Sequence, residues 1–322
     1  MFRAYSRKLD YRVFSGIDRW LAGRGYKTDA RALDSFINLS RMQTASTFFY
    51  TGISNKVSID KINHYPSNYS FSFPSPAPSG KKENDTVFGD FFPRFSLKAP
   101  SVVIFSGWLE TETDYSRLAH KMGLAGRNFW AMDLPYHARR TPQGTKSGEL
   151  SITGDIVRTL NMIRQAVIDA RVLVKTIKEL GSDDIAVIGF SLGAWVGSLL
   201  ALCEPSIARL ILATPIVRPD RLLVSSPLFN SLRNGVAEEQ SLSLFEDLGH
   251  LFIPYKSQPV IDRKKVHLLG SIDDPLAPPG DVDELASSWE CEKRILPGGH
   301  ITFYITPRFW KSIFQTLSPN HS

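Results

Sequence analysis

Ile185-Ala-Val-Ile-Gly-Phe-Ser-Leu-Gly-Ala-Trp-Val-Gly-Ser-Leu-Leu-Ala-Leu-Cys203 runs for nineteen residues without a charge, and its reading decides the fold. By hydropathy alone it scores as a membrane span. Its interior argues otherwise. The turn Gly189-Phe190-Ser191-Leu192-Gly193 splits it into a short apolar run, Ile185–Ile188, and a segment with small residues at Gly193, Gly197 and Ala201. That pattern predicts a buried strand, a sharp turn and a helix.

The turn matches G-x-S-x-G, in which a serine on a strained strand-to-helix bend projects its hydroxyl above a sheet. Glycines on either side keep bulk away from the neighbouring strands. Ser191 is then a candidate nucleophile, with the Leu192 amide and the positive end of the helix aimed at a developing negative charge. Alone, five residues of this kind often mark only a strand-to-helix turn, so the partners matter.

Two later segments supply candidates. Lys265-Val-His-Leu-Leu-Gly270 predicts a strand, and Ser271-Ile-Asp-Asp-Pro-Leu-Ala-Pro278 a turn beyond it. An acid there, Asp273 or Asp274, falls on the same sheet edge as Ser191. The plainer reading makes these acids turn or helix-cap residues. Arg294-Ile-Leu-Pro-Gly-Gly-His300 predicts a last strand that delivers a histidine through two glycines. The chain has seven histidines. His300 stands apart because it follows both the serine and the acids, in the order Ser…Asp…His.

Working outward, short apolar runs alternate with helical patterns from Ala99 onward, as in crossover units on a parallel sheet. The expected strands are Val102–Phe105, Phe129–Met132, Ile185–Gly189, Leu210–Ala213, Val266–Leu269 and Arg294–Leu296. The expected helices are Tyr115–Ala125, Ile156–Leu180, Leu192–Leu202, Val282–Trp289 and Pro307–Leu317. Before them, Tyr69–Phe73 and Val87–Phe92 predict an antiparallel hairpin around a Pro- and Ser-rich loop, Pro74–Asp85, expected to be a disordered tip. Residues 1–65 read as a helical extension broken at Gly23, Gly25 and Gly52. About 217–264 is too long for a simple crossover and reads as an inserted cap within a domain of residues 66–322.

Composition fits an ordinary globular protein: 43% hydrophobic and 22% charged over 322 residues. Two cysteines, Cys203 and Cys291, make neither a disulfide framework nor a zinc site. Of the net charge of +6, +4 lies in residues 1–34, where eight Lys/Arg face four Asp. No basic stripe marks the rest, which argues against a nucleic-acid partner. The first thirty residues mix apolar and charged side chains without a continuous apolar core, so no secretory signal is read and a cytosolic protein is expected. That segment has two readings: a basic amphipathic helix lying on an anionic membrane, or a helix covering its own domain, the second preferred.

Taken together, these motifs resemble the α/β-hydrolase superfamily over about Tyr69 to Leu317. Phe105-Ser-Gly-Trp108 stands where the family places its oxyanion loop. Ala131-Met-Asp-Leu-Pro-Tyr-His-Ala-Arg-Arg-Thr-Pro142 follows the next strand, then Gly-Phe-Ser-Leu-Gly, the acid turn and the late histidine. The resemblance implies a mostly parallel twisted sheet with helices on both faces, and a Ser191–His300–Asp274 triad with Trp108 and Leu192 amides as oxyanion donors. Asp274 is preferred because Asp-Pro-Leu-Ala-Pro resembles the family's acid-x-x-x-proline turn. Two departures stand out: Ser106-Gly107 replaces the frequent His-Gly, and Ala138 replaces a frequent glycine.

The implied activity is hydrolysis of a carboxylic ester, with an apolar or lipid-like acyl group favoured and no metal or organic cofactor called for. An acyltransferase on the same triad and a non-catalytic receptor or scaffold are the alternatives. Gly107, His137, Arg139, Arg140 and Phe190 are candidates for substrate contact, the arginines for an anionic group, although paired arginines on such loops are commonly spent internally. Trp108, Phe190, Trp195, Leu244, Phe245 and Leu251 are candidate pocket walls.

Overall fold

Strands made almost wholly of Val, Ile and Leu are stable only when both faces of the sheet are covered. That demand organises the molecule. The computed structural model describes residues 2–50, 52, 56–61, 69–111 and 115–318. Among them one sheet collects β1 Ser58–Lys61, β2 Tyr69–Pro74, β3 Thr86–Phe92, β4 Ser101–Phe105, β5 Asn128–Met132, β6 Ile185–Phe190, β7 Arg209–Ala213, β8 Val266–Ser271 and β9 Glu292–Leu296. Their order across the sheet is β1-β2-β3-β5-β4-β6-β7-β8-β9. The β1, β2, β3 and β5 neighbours pair antiparallel, and every pairing from β5 to β9 is parallel.

The helices are α1 Phe2–Ala22, α2 Ala30–Ser40, α3 Ala45–Phe48, α4 Ser116–Leu124, α5 Ile156–Glu179, α6 Leu192–Leu200, α7 Asn230–Arg233, α8 Glu238–Phe252, α9 Pro279–Trp289 and α10 Pro307–Leu317. Alternate strand residues divide between two cores. Val103, Phe105, Val187, Leu210, Leu212 and Leu268 pack with α5, α6 and α9. Val102, Ile104, Ile188, Ile211 and Leu269 pack with Met122 of α4 and with Phe309, Ile313 and Leu317 of α10. A mostly parallel sheet with helices on both faces is therefore the observed architecture. The expected elements are all present, their ends differing by a few residues, as helix and strand ends commonly do.

Two local expectations are corrected. The stretch read as helical to residue 65 contains β1, whose Ile59 sits opposite Phe71 of β2. A four-residue strand with one partly buried apolar side chain is too short to display an alternating period. The loop expected to be a disordered tip is instead tied down. Asp85 accepts from the Ser79 amide and hydroxyl and from the Gly80 amide. Asn84 is fully buried, donating to Gln165 on α5 and accepting from the Tyr136 amide. The nineteen uncharged residues form β6, the bend and α6. No helix among the described residues is long and apolar enough to cross a membrane.

The topology sets the place of chemistry. From β4 the chain moves to β5 on one side and later to β6 on the other. The crevice beyond the carboxyl ends of β4 and β6 is thus a topological switch point, where open α/β sheets bind their ligands.

Candidate active site

Ser191 sits on the bend between β6 and α6 with φ +51° and ψ −108°, a left-handed conformation costing roughly 1–3 kcal/mol for a residue with a Cβ. Packing holds it there. The Ser191 amide donates to the Ala213 carbonyl of β7 at 2.9 Å, and Gly193 N–H donates to the Ser106 carbonyl at 2.9 Å. The two glycines have a measurable reason: a Cβ on Gly193 would lie 2.2 Å from the Phe105 carbonyl oxygen, and one on Gly189 2.4 Å from the Gly193 carbonyl oxygen.

Strand β8 ends beside the bend and its turn brings Asp274 inward. One carboxylate oxygen accepts the Leu276 and Ala277 amides, both at 2.8 Å. The other faces His300 Nδ1 at 2.7 Å, while His300 Nε2 lies 2.8 Å from Ser191 Oγ. Asp273, the neighbouring acid, points the other way and binds Arg3 and Arg7 of α1. Burial works to lower the His300 pKa. The charge and hydrogen bond of Asp274 oppose it, joined by the charge of Asp10, and the balance places the imidazole above its ordinary value.

Gly107 and Trp108 face this group from the loop after β4. A Cβ built on Gly107 would lie 3.9 Å from that of Ser191. The Trp108 indole donates to the Gly148 carbonyl at 2.9 Å, and its ring packs on Phe229. Next to it the Leu109 amide donates to His137 Nε2 at 3.3 Å, so Nδ1 carries the proton and donates to the Pro135 carbonyl at 2.8 Å. Among the described residues the backbone amides of Trp108 and Leu192 have no hydrogen-bond acceptor within the fold.

A cavity of about 280 Å³ opens above Ser191 and His300. Its walls are apolar: Val13, Phe14 and Ile17 of α1, Trp108, Ile152, Ile216, Leu222, Phe229 and Leu276. Tyr304 also lines it, its hydroxyl on Thr214 Oγ1.

The expectation that His137, Arg139 and Arg140 contact substrate is corrected by this geometry. None of the three lines the cavity. Arg139 clamps Asp133 through two bonds and reaches Asp90 at 3.0 Å. Arg140 is wholly buried on Asp169 at 2.8 Å and on the Asn84 and Asp133 carbonyls. Phe190 likewise turns away, into a cluster with Tyr304, Phe309 and Trp310. Trp195 donates to the Phe252 carbonyl, and Leu244, Phe245 and Leu251 pack into the core, so none of these four walls the cavity.

Sequence reasoning missed the contribution of α1. Ser6, Asp10, Phe14 and Leu21 form its buried stripe, and Asp10 and Phe14 touch the His300 loop. The helical spacing of these four was present in the sequence, but one of two Asp among four arginines and a lysine on one helix reads as a surface charge.

Burial pushes the pKa of His137 down to about 4, with Arg140 adding repulsion and the Pro135 carbonyl opposing both. Unfolded, the ring takes a proton near pH 6.5; folded, it refuses one until much lower pH. The unfolded state thus binds more protons in this window, and stability falls as pH drops from 6.5 towards 4. We expect roughly 2 kcal/mol of the loss at pH 5 to come from this ring. Urea unfolding at pH 7 and pH 5 checks it, since His137→Gln should flatten that part of the difference.

This chain resembles known proteins in sequence and in fold. Residues 98–243 match the family model described as serine aminopeptidase, S33. Two uncharacterized proteins of Mycobacterium tuberculosis are 26% identical over 211 residues, 64% of this chain. The match spans 48% of their length, so the chain covers about half of these relatives. Acetyl xylan esterase 1 from Thermoanaerobacterium superposes with a TM-score of 0.62 at 16% identity, over 91% of this chain and 94% of that one. An acetyl xylan esterase from Paenibacillus gives 0.61 at 13% identity, over 91% and 95%. A monoglyceride lipase variant from Saccharomyces cerevisiae gives 0.50 at 13%, over 85% and 98%. With its sheet order, its strained serine bend at the switch point and these superpositions, the chain has the α/β-hydrolase fold.

Proposed function

We propose that the protein is a serine hydrolase that cleaves a carboxylic ester bearing an apolar acyl group, through an acyl-enzyme. The observation that carries this reading is the chain of contacts Ser191 Oγ to His300 Nε2 at 2.8 Å and His300 Nδ1 to Asp274 at 2.7 Å, at the floor of an apolar cavity.

In this reading His300 takes the Ser191 proton as the hydroxyl attacks the ester carbonyl. Asp274, itself fixed by two amides, keeps the proton on Nδ1 in the resting ring and stabilises the imidazolium that forms. The Trp108 and Leu192 amides receive the oxyanion. His300 then protonates the departing alcohol, and a water activated by the same imidazole releases the acid. The acyl group lies against Leu222 and Phe229 from the 217–264 segment, which acts as a cap, and against α1 of the N-terminal extension. At about 280 Å³ the cavity lies near the lower end of roughly 300–1,000 Å³ for small-molecule pockets, which favours a short acyl chain. The esterase and lipase names of the superposable structures agree with this chemistry.

Labelling with a fluorophosphonate probe tests it. Wild-type protein is expected to be labelled at Ser191 and Ser191→Ala not at all; equal labelling of both would remove the serine from the mechanism. Competition between water and an added alcohol for the acyl group separates hydrolysis from acyl transfer.

A further inference from the structure

Asp10 is wholly buried, although a charge on a helix ordinarily faces water. Its carboxylate is seated on the loop that carries His300. Oδ2 accepts the His300 amide at 2.6 Å and Oδ1 accepts the Ile301 amide at 3.1 Å. One turn earlier on α1, Ser6 Oγ accepts from the Thr302 hydroxyl at 3.0 Å, and Thr302 Oγ1 in turn accepts the Gly299 amide at 3.0 Å. One turn later, the Phe14 ring stands edge-on to the imidazole, 5.6 Å between centroids. Gly299 leaves the space for this seat: a Cβ there would lie 2.2 Å from Asp10 Oδ2.

Two neutral oxygens would satisfy the same amides, so the charge needs its own reason. Burying a carboxylate is costly, and the two amides offset only part of that cost. The remaining partner is electrostatic: an imidazole that must become positive during turnover lies beside it. We propose that Asp10 is a positioning residue of the catalytic site, fixing the His300 loop through its amides and favouring the imidazolium through its negative charge. This rests on reading Ser191, His300 and Asp274 as the triad.

The groups that face His300 are Asp274 from the turn after β8, Asp10 from α1, Ser191 from the β6–α6 bend and the hydroxyl-bearing ring of Tyr304. Burial raises the Asp10 pKa, the two amides and His300 pulling it back down and Asp274 pushing it up. The base must be neutral to accept the Ser191 proton, so activity is lost as pH falls through the His300 pKa. Removing the Asp10 charge lowers that pKa, and the acid limb of the kcat/KM profile moves to lower pH.

With p-nitrophenyl butyrate as probe substrate, Asp10→Asn is expected to lower kcat about ten- to hundredfold with KM within about twofold. Its acid limb should move down by about half a pH unit or more. Gly299→Ala should reproduce the kcat loss by unseating the carboxylate. Adding Gly299→Ala to Asp10→Ala should then cost less than it does in the wild type, because the 2.2 Å contact is gone and only the Ser6 carbonyl, at 3.2 Å, remains close. An Asp10→Asn enzyme that melts like wild type and keeps its kcat and acid limb overturns the proposal. If Asp10→Asn does not fold, the glycine pair decides, and fully additive losses overturn it. Fluorophosphonate labelling separates the two levels. Ser191-dependent labelling at an unchanged rate in Asp10→Asn sinks Asp10 alone, whereas an unlabelled wild type sinks the triad reading and this proposal together.

Discussion

Ser191→Ala is expected to lower kcat on a neutral short-chain ester by about 10⁴- to 10⁶-fold, with the fold and melting temperature preserved. The hydroxyl is small and the bend is held by backbone bonds to Ala213 and Ser106, so its loss leaves the frame standing. His300→Gln should cost about as much. The double variant should be no worse than either single one, because nucleophile and base act as a unit. Asp274→Asn should fall by about 10⁴-fold, since an amide in place of the carboxylate can hold the ring in the wrong tautomer. Steady-state kinetics on purified variants checks all four. A Ser191→Ala enzyme within tenfold of wild type would end the acyl-enzyme mechanism.

The second large effect lies away from the cavity. Arg140→Ala is expected to destabilise the protein by about 3–5 kcal/mol. That is a large fraction of the roughly 5–15 kcal/mol typical of a folded domain. Arg140 and Asp169 are both sealed from water, and Asp169 has its other oxygen on Ser75. Deleting the guanidinium strands a carboxylate whose pKa burial already raises, and leaves the Asn84 carbonyl without two donors. Arg140→Met with Asp169→Leu removes both charges and should recover part of the loss. Urea denaturation gives the numbers. Unchanged stability coupled to a selective loss on anionic esters would return Arg140 to the substrate site.

The contrast between these residues shows what a sequence can carry. Ser191, Asp274 and His300 each sit just past a strand that announces itself by an apolar run, and parallel topology sends all such ends to one edge. Their meeting is a consequence of local pattern plus chain direction. Arg140 shows the opposite case: its partner Asp169 lies 29 residues on, in the middle of α5, and nothing in the spacing says that both are dry. Leu222 walls the cavity from a single π-helical turn, Arg221–Ser225, and Phe229 from the residue before the four-residue α7, both too short to show a period. Asp10 is hidden for another reason: an acid on an amphipathic helix looks solvated until the surface that covers it is known.

The grip of α1 on the His300 loop ties together residues 290 positions apart in the chain. On a ribosome adding roughly 5–20 residues per second, the first helix waits about 15–60 s for its counterpart to emerge. Through that interval the buried Asp10 and the face of Phe14 turned to the His300 ring lack their native cover. The nascent chain thus keeps this face of α1 unshielded until residues 299–302 have been made.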